Sequence, residues 1–147
     1  MKEAWLIDKS AYVRLVSRPQ LLDPWLDRIN RGLVHVCTVT LLELGYSARN
    51  APDWAAVTGS PPVANLMLEH FTPAVEDRAL EVQGLLARRG QHRAPGIPDL
   101  LVAACGEVLG LTVLHLDKDF ELIAEVTGQP VERLVDHSEG EQRPAAP

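Results

Sequence analysis

The stretch VLHLDKDFELI, residues 113–123, decides the fold prediction because it joins the best strand candidate in the chain to a helix. LTVLHL, residues 111–116, is a continuous apolar run, which is typical of a strand buried on both faces. Asp117 and Asp119 follow it one residue apart. Buried carboxylates need solvent, a hydrogen-bond donor or a cation. The pattern therefore predicts a central strand that delivers two acids to the start of a helix.

Strand candidates alternate with helix candidates along the rest of the chain. The predicted strands are 4–7, 33–39, a short one at 71–75, 111–116 and 130–135. The predicted helices are 10–16 with Ser10 as N-cap, 24–31 with Asp23 as N-cap, 41–49, 63–70, 76–90, 99–110 and 120–128. Residues 50–62 read as a loop with at most one helical turn. This alternation predicts an α/β fold, a three-layer α/β/α sandwich with a mainly parallel sheet.

The composition favours one globular domain in the cytoplasm. We assign residues 1–135 to this domain and residues 136–147, which show no apolar periodicity, to a disordered C-terminal tail. No apolar run is long enough to span a bilayer, and the N-terminus lacks the pattern of a signal peptide. The two cysteines, Cys37 and Cys105, lie in apolar surroundings typical of free, buried thiols.

Five acids fall where helices begin in the predicted fold. Asp8 follows the first strand, Glu43 comes soon after the second, and Asp117 and Asp119 follow the strongest one. Asp99 opens a helix directly after a proline. Since the carboxyl ends of parallel strands share one edge of the sheet, we expect these acids to converge there.

Each acid also has a purely structural explanation. Thr40 and Glu43 match the capping box Thr-x-x-Glu, and the four aspartates suit helix caps or first turns. Jointly, however, each close pair of carboxylates would repel by about 4 kcal/mol at an effective dielectric of 20. A divalent cation relieves that repulsion, and oxygen ligands without a histidine or cysteine cluster favour Mg²⁺ or Mn²⁺. Such a site supports phosphodiester hydrolysis, in which the metal activates water.

Four segments carry a resemblance to a known family. They are LIDKSA with Asp8 and Ser10, TLLELGYSAR with Glu43, IPDLLVAA with Asp99, and HLDKDF with Asp117 and Asp119. In this order and spacing they resemble a PIN domain, and among PIN domains the VapC-type toxins of bacterial toxin–antitoxin pairs. The likeness runs from about residue 4 to residue 135, with a proline-rich segment, RAPGIP, where many relatives are plainer.

The resemblance implies a Mg²⁺-dependent endoribonuclease toxin that cleaves single-stranded or loop RNA, with structured RNAs such as tRNA or rRNA as frequent targets. It also implies homodimers and a VapB-like antitoxin, whose C-terminal segment lies in a groove beside the active site. By position, the resemblance makes Asp8, Glu43, Asp99 and Asp117 the metal-binding quartet and Asp119 an auxiliary acid. It makes Ser10 the hydroxyl that orients the site. From this we expect Asp8, Asp99 and Asp117 to bind metal directly, and Glu43 and Asp119 to bind it directly or through water.

Two other functions stay open at this point. A phosphatase or phospho-receiver would use an aspartate nucleophile, but haloacid-type enzymes carry a second aspartate two residues on, where this chain has Ser10. A non-catalytic PIN-like binding module would not need all five acids. His115 is predicted to be a packed strand residue and not a catalytic base.

The net charge of −6 does not exclude an RNA partner. Of the 20 acids and 14 bases, five acids belong to the cluster and three acids and one arginine to the tail, which leaves 12 acids and 13 bases. Lys9 and Lys118 are next to clustered acids and are candidates for phosphate contact, although solvent exposure is the simpler explanation.

Apolar stripes on the first two predicted helices favour core packing. Their members are Tyr12, Leu15, Leu22, Trp25 and Ile29. The alternative is that part of this surface, with Trp25 or Trp54, forms the antitoxin groove.

Overall fold

The sheet has five parallel strands. A computed structural model describes residues 3–135, so the predicted disordered tail at 136–147 lies outside the described residues. The strands are β1 (Trp5–Ile7), β2 (Val34–Cys37), β3 (Met67–Glu69), β4 (Thr112–His115) and β5 (Val131–Arg133). They are ordered β3-β2-β1-β4-β5, and every neighbouring pair is parallel.

Helices cover both faces of this sheet. They are α1 (Lys9–Ser17), α2 (Pro19–Asn30), α3 (Thr38–Tyr46), α4 (Ala51–Gly59), α5 (Pro73–Arg88), α6 (Ile97–Leu109) and α7 (Lys118–Thr127). Side chains alternate along a strand, so Ile7 packs with the helices on one face, while Leu6 packs with α5, α6 and α7 on the other. The predicted three-layer α/β/α sandwich is confirmed. Within residues 3–135, every helix is too short or too polar to cross a bilayer.

The edge strand is the place where the predicted element order is wrong. Residues 63–70 were predicted to be helical, but they form a 3₁₀ turn at Val63–Asn65 and then β3. Residues 71–75 are not a strand, because Thr72 caps α5 and Pro73 occupies its first turn. The local sequence around the exposed residues Met67 and Leu68 does not show a strand pattern. Their extended conformation depends instead on parallel pairing with β2.

Two helix predictions also change. Residues 50–62 are not mainly a loop, because Asn50 accepts the Asp53 amide as an N-cap and starts α4. The second helix begins at Pro19, not at Pro24, which lies inside it. Proline suits the first helical turn, and this segment offers it at two places, so the local signal for the start was ambiguous.

Candidate metal centre

The two central strands deliver the first pair of acids side by side. Asp8 directly follows β1, and Asp117 follows β4 after one intervening residue. Since Ile7 pairs with Leu114 in the parallel register, both strand ends reach the same edge of the sheet. An open cavity of about 470 Å³ lies at this edge. Its lining includes Asp8, Ser10, Glu43, Asp99 and Asp117.

Ser10 connects the two strand ends. Its hydroxyl donates to both carboxylate oxygens of Asp8, at 2.8 Å each, and accepts the backbone amide of Leu116 at 2.9 Å. Asp8, and not Ser10 as predicted, is the N-cap of α1, because its carboxylate accepts the Ala11 amide at 3.1 Å. A side-chain oxygen with non-helical backbone geometry suits that position. Ser10 therefore orients Asp8 and fixes the segment after β4.

Three aspartates form the tightest group. One carboxylate oxygen from each of Asp99, Asp117 and Asp119 lies within 4.8 Å of the other two. Asp117 caps α7 and accepts the Asp119 amide at 3.0 Å, which holds two of these acids in one helix turn. Asp99 comes from the first turn of α6, which is a separate element.

Asp99 is the electrostatic centre of the cluster. Its pKa is raised to about 6, mainly by burial and also by the negative charges of Asp117, Asp8, Glu43 and Asp119. The charges of all four other predicted acids thus act on the carboxyl group of Asp99, so the structure brings the five acids into one cluster. Like charges at close range disfavour ionisation unless a cation compensates them.

Asp8 is more deeply buried than Asp99, and neighbouring charges contribute less to its raised pKa. It is 5% exposed, and burial raises its pKa to about 6 against the lowering effect of the hydrogen bonds from Ala11 and Ser10. The charge of Asp117 adds a smaller increase. Hydrogen bonds from the Ser10 hydroxyl and the Ala11 amide therefore fix the position of this buried carboxylate.

Glu43 is not part of a capping box. The helix α3 begins at Thr38, so Thr40 lies inside it with a buried hydroxyl that lacks a hydrogen-bond partner among residues 3–135. The carboxylate of Glu43 instead lines the acidic cavity. Burial raises the pKa of Glu43, while the ammonium of Lys9 lowers it. The purely structural explanation of this acid is therefore wrong.

No described arginine or lysine neutralises the acids by direct pairing. The ion pairs between residues 3–135 join other side chains, such as Arg78 with Glu107 and Arg89 with Glu125. Burial is also the first cause of the raised pKa of Asp119, followed by the charge of Asp117. Carboxylate oxygens that converge without a paired base match the ligands preferred by Mg²⁺ and Mn²⁺, so the residues fit a hard divalent cation.

His115 is a structural residue, as predicted. It is 0% exposed, and its Nδ1 accepts the backbone amide of Asp117 at 3.2 Å. Its ring packs 5.4 Å from that of Phe120, and burial lowers its pKa. A neutral imidazole sealed in the core supports the segment that carries Asp117, and it does not reach the cavity.

Two further residues line the cavity, Val13 and Ser17, which were not predicted from the sequence. They lie three and seven residues after Ser10 on α1, on the face that also includes Arg14. Helical periodicity places positions i, i+3, i+4 and i+7 together. Applying this helical periodicity from Ser10 would have predicted that Val13 and Ser17 lie on the same face of α1.

Comparison with a family model gives a match over most of the chain. The model for the PIN domain matches residues 5–126. Ribonuclease VapC2 of Mycobacterium tuberculosis (strain CDC 1551 / Oshkosh) is 55% identical over 132 residues, which cover 90% of this chain and 93% of that protein. Ribonuclease VapC51 of M. tuberculosis (strain ATCC 25618 / H37Rv) is 44% identical over 131 residues, which cover 89% of this chain and 93% of that protein.

Solved structures share the fold at lower identity. A DNA-bound VapBC from Salmonella typhimurium aligns with a TM-score of 0.76 at 17% identity, covering 91% of this chain and 100% of that one. VapBC-5, a member of the VapBC family of toxin–antitoxin systems from M. tuberculosis, aligns with a TM-score of 0.64 at 24% identity, covering 92% and 100%. At these identities the likeness supports the fold.

Proposed function

This chain belongs to the PIN-domain family, among the VapC ribonucleases, and from that premise we propose that it is a Mg²⁺-dependent endoribonuclease toxin inhibited by a cognate antitoxin. The observation that carries the proposal is the convergence of Asp99, Asp117 and Asp119, one oxygen of each within 4.8 Å of the other two, while the ion pairs between described residues join other side chains. The family assignment favours neither the phosphatase nor the non-catalytic alternative.

We assign the metal ligands from the geometry of the cluster. Asp99, Asp117 and Asp119 would bind the ion directly, since one oxygen of each already lies within 4.8 Å of the others. Asp8 and Glu43 would bind directly or through water. Asp8 was predicted to be a direct ligand. The proposal now allows it to bind through water, because its oxygens already accept hydrogen bonds from Ser10 and Ala11.

The residues divide the chemistry among them. A bound divalent ion supplies activation of water and neutralisation of charge on the phosphate. Ser10 keeps Asp8 oriented, and Asp117 holds the start of α7 so that Asp119 faces the same centre. Lys9, at the edge of the cavity, contributes a positive charge to hold the RNA phosphate. Asp8 and Asp99 must lose their protons before they can act as ligands.

A second cavity supports the antitoxin part of the proposal. It has a volume of about 450 Å³ and is lined mainly by apolar groups, among them Tyr12, Val16, Leu44 and Val57. It shares Lys9 and Val13 with the acidic cavity, so a peptide bound here would lie beside the metal ligands. The solved VapBC complexes of similar fold are toxin–antitoxin assemblies, which supports a VapB-like partner for this chain.

Trp25 does not belong to this groove. It is 7% exposed, and its ring lies 5.1 Å from that of Trp5 in an edge-on contact inside the core. Trp54 is 55% exposed and stays a candidate for a partner surface. The homodimer and the cytoplasmic location stay predictions.

The test is cleavage of purified tRNA and rRNA by the purified protein with Mg²⁺, with Mn²⁺ and with EDTA. We expect cleavage with either ion, none with EDTA, and a loss of at least about a hundredfold for Asp99→Asn. Asp77→Asn, the same change at an exposed acid of α5, is the matched control and should retain activity. Cleavage that persists both in EDTA and in Asp99→Asn contradicts the proposal.

A further inference from the structure

Gln129 is a buried amide that the proposed chemistry does not use. In the part of the chain that the structure describes, the buried polar or charged side chains are Asp8, Thr40, His115 and Gln129. Asp8 belongs to the acidic cluster, and His115 supports the segment that carries Asp117. Gln129 is 7% exposed and lies just after the end of α7. An apolar side chain would fill this space without the cost of desolvating an amide, so the partners of the amide indicate its role.

The side-chain amide of Gln129 reaches across to α6. Its Nε2 donates to the backbone carbonyl of Ala103, 26 residues earlier in the chain, at 2.9 Å. A carbonyl can only accept, so the nitrogen end of the amide must face it. The oxygen end, Oε1, lies 3.1 Å from the hydroxyl of Thr127, whose oxygen also accepts the backbone amide of Gln129 at 3.2 Å. Both ends of the side-chain amide are therefore held.

The turn after α7 brings Gln129 into the core. Gly128 ends the helix in the left-handed conformation, with a φ of 73°. The carbonyl of Pro130 then accepts the amide of Val113 in β4 at 3.3 Å, directly before β5 begins. Gln129 is thus fixed between the last turn of α7 and the sheet.

The carbonyl that Gln129 binds is one helical turn from Asp99. Ala103 follows Asp99 by four residues, so the two lie on the same face of α6, about 6 Å apart along the helix axis. The contact therefore joins α7, which carries Asp117 at its N-cap and Asp119 in its first turn, to the stretch of α6 that carries Asp99. These are the three acids with oxygens within 4.8 Å of one another.

The hydrogen bond adds a directional constraint to the apolar packing of α6 and α7. Ala103 and Ala104 of α6 belong to the same core cluster as Phe120 and Ile123 of α7. Apolar contacts of this kind are non-directional, whereas a hydrogen bond weakens steeply away from its preferred distance and angle. The bond to the Ala103 carbonyl therefore specifies the relative position of the two helices more sharply than the packing does.

We propose that Gln129 is a positioning residue of the metal centre. By holding α7 to α6, it sets the distance from Asp99 to Asp117 and Asp119. The inference rests on the proposed metal-dependent function, and it assigns a role to a residue outside the acidic cavity.

A role in positioning should affect which ion is bound as well as how tightly. Mg²⁺ demands near-ideal octahedral geometry with oxygens at about 2.0–2.1 Å, whereas Ca²⁺ accepts flexible geometry at about 2.3–2.6 Å. Carboxylates held at a fixed spacing can meet the stricter demand of Mg²⁺. Loss of the Gln129 contact should therefore weaken the binding of Mg²⁺ more than the binding of Ca²⁺.

Isothermal titration calorimetry with each ion, in the absence of RNA, tests this role. Gln129→Met keeps the length of the side chain and removes the donor, and Gln129→Glu keeps the shape but cannot donate once it is ionised. We expect both variants to bind Mg²⁺ roughly 2- to 30-fold more weakly than the parent protein. The loss of affinity for Ca²⁺ should be smaller.

Two controls separate positioning from general stability. Ile29 is 2% exposed and packs on the face of the sheet opposite α6 and α7. Ile29→Val lowers the free energy of unfolding, which urea denaturation measures, but it should leave both affinities unchanged. Gln20→Met is the matched substitution at an exposed residue of α2 and should change neither stability nor affinity.

Two outcomes would overturn the inference. One is a parent protein that binds Mg²⁺ while both Gln129 variants bind it equally tightly. The other is the same weakening in Gln129→Met as in Ile29→Val, which would assign the effect to lost stability. Failure of the proposed function looks different, since the parent protein would then bind neither ion and cleave no RNA.

Discussion

A single hydroxyl, that of Ser10, ties together parts of the site that are far apart in the chain. It fixes both oxygens of Asp8 and holds the amide of Leu116, 106 residues away. Both contacts need the hydroxyl, so an apolar side chain at this position could make neither of them. Ser10 therefore positions Asp8 and the segment before Asp117, two of the proposed metal ligands.

Ser10→Ala should weaken both folding and metal binding. It leaves the Leu116 amide and the Asp8 carboxylate each short of a partner, and a lost partner at a buried group costs about 1–3 kcal/mol. Chemical denaturation and Mn²⁺ titration measure the two effects. Ser47→Ala is the matched control, because that hydroxyl donates to the Glu43 carbonyl on the exposed side of α3 and does not line the acidic cavity. Equal stability of the two variants would contradict this role for Ser10.

At the scale of elements, α6 determines where Asp99 lies. The acid occupies the first turn of this helix, and close packing against the sheet through Gly106 sets the position of the whole element. A Cβ atom at Gly106 would lie 2.8 Å from Cγ2 of Val113 and 3.4 Å from the Leu111 carbonyl. The helix and β4 thus approach more closely than alanine permits.

Opposite results are expected for two glycine-to-alanine changes in neighbouring helices. Gly106→Ala should destabilise by about 1–3 kcal/mol because it overpacks the contact with β4. Gly84→Ala on α5 meets no atom within 4 Å, so it should stabilise by about 0.5–1 kcal/mol through helix propensity. Urea denaturation of both variants checks this. A stabilised Gly106→Ala would show that α6 is not held in close contact with β4.

At the scale of the whole molecule, the acidic cluster opposes folding when no metal is bound. Its carboxylates come from the β1–α1 junction, α3, α6 and the start of α7, and the ion pairs between described residues join other side chains. Unfolding separates these charges, and metal binding neutralises them. The stability of the fold is therefore linked to both protons and metal.

The metal-free protein should lose stability as pH rises from about 4 to about 6. Asp8 and Asp99 have a folded pKa raised from 3.8 to about 6, so the folded state holds their protons more tightly than the unfolded chain does. Their stabilising effect is full below pH 3.8 and is lost as pH rises through 6. At about 1.4 kcal/mol per pH unit, buried Asp8 alone accounts for up to roughly 3 kcal/mol.

Chemical denaturation in EDTA across this pH range measures that loss. Asp8→Asn should flatten the profile, since the amide does not titrate. Saturating Mn²⁺ should reverse the slope, because the ion binds the deprotonated carboxylates. A metal-free profile that rises between pH 4 and pH 6 in the parent protein, but not in Asp8→Asn, would contradict the raised pKa of Asp8.

Much of the fold could be predicted from local pattern. The runs that became β1, β2 and β4 are short and mainly apolar, and most of the helices between the strands carry clear periodicity. The prediction failed at β3 and α4, which bury little. β3 is an edge strand with exposed Met67 and Leu68, and α4 has no buried residue. Neither element therefore shows the periodic hydrophobic pattern that indicates a buried strand or helix.

The sequence by itself determined the strand-end acids. An apolar run that ends in Asp8 or Asp117 predicts a buried strand with the carboxylate at its carboxyl end, where it can reach solvent or a cation. Only the tertiary structure decided that Asp99, which follows no strand, meets Asp117 and Asp119. The reason is the distance along the chain over which each feature is determined. Burial periodicity can be seen within a short run of residues, whereas the position of α6 depends on packing between segments that are distant in the chain. The same packing between α3 and α4 brought Trp54 to Gly45, a contact that no local pattern encodes.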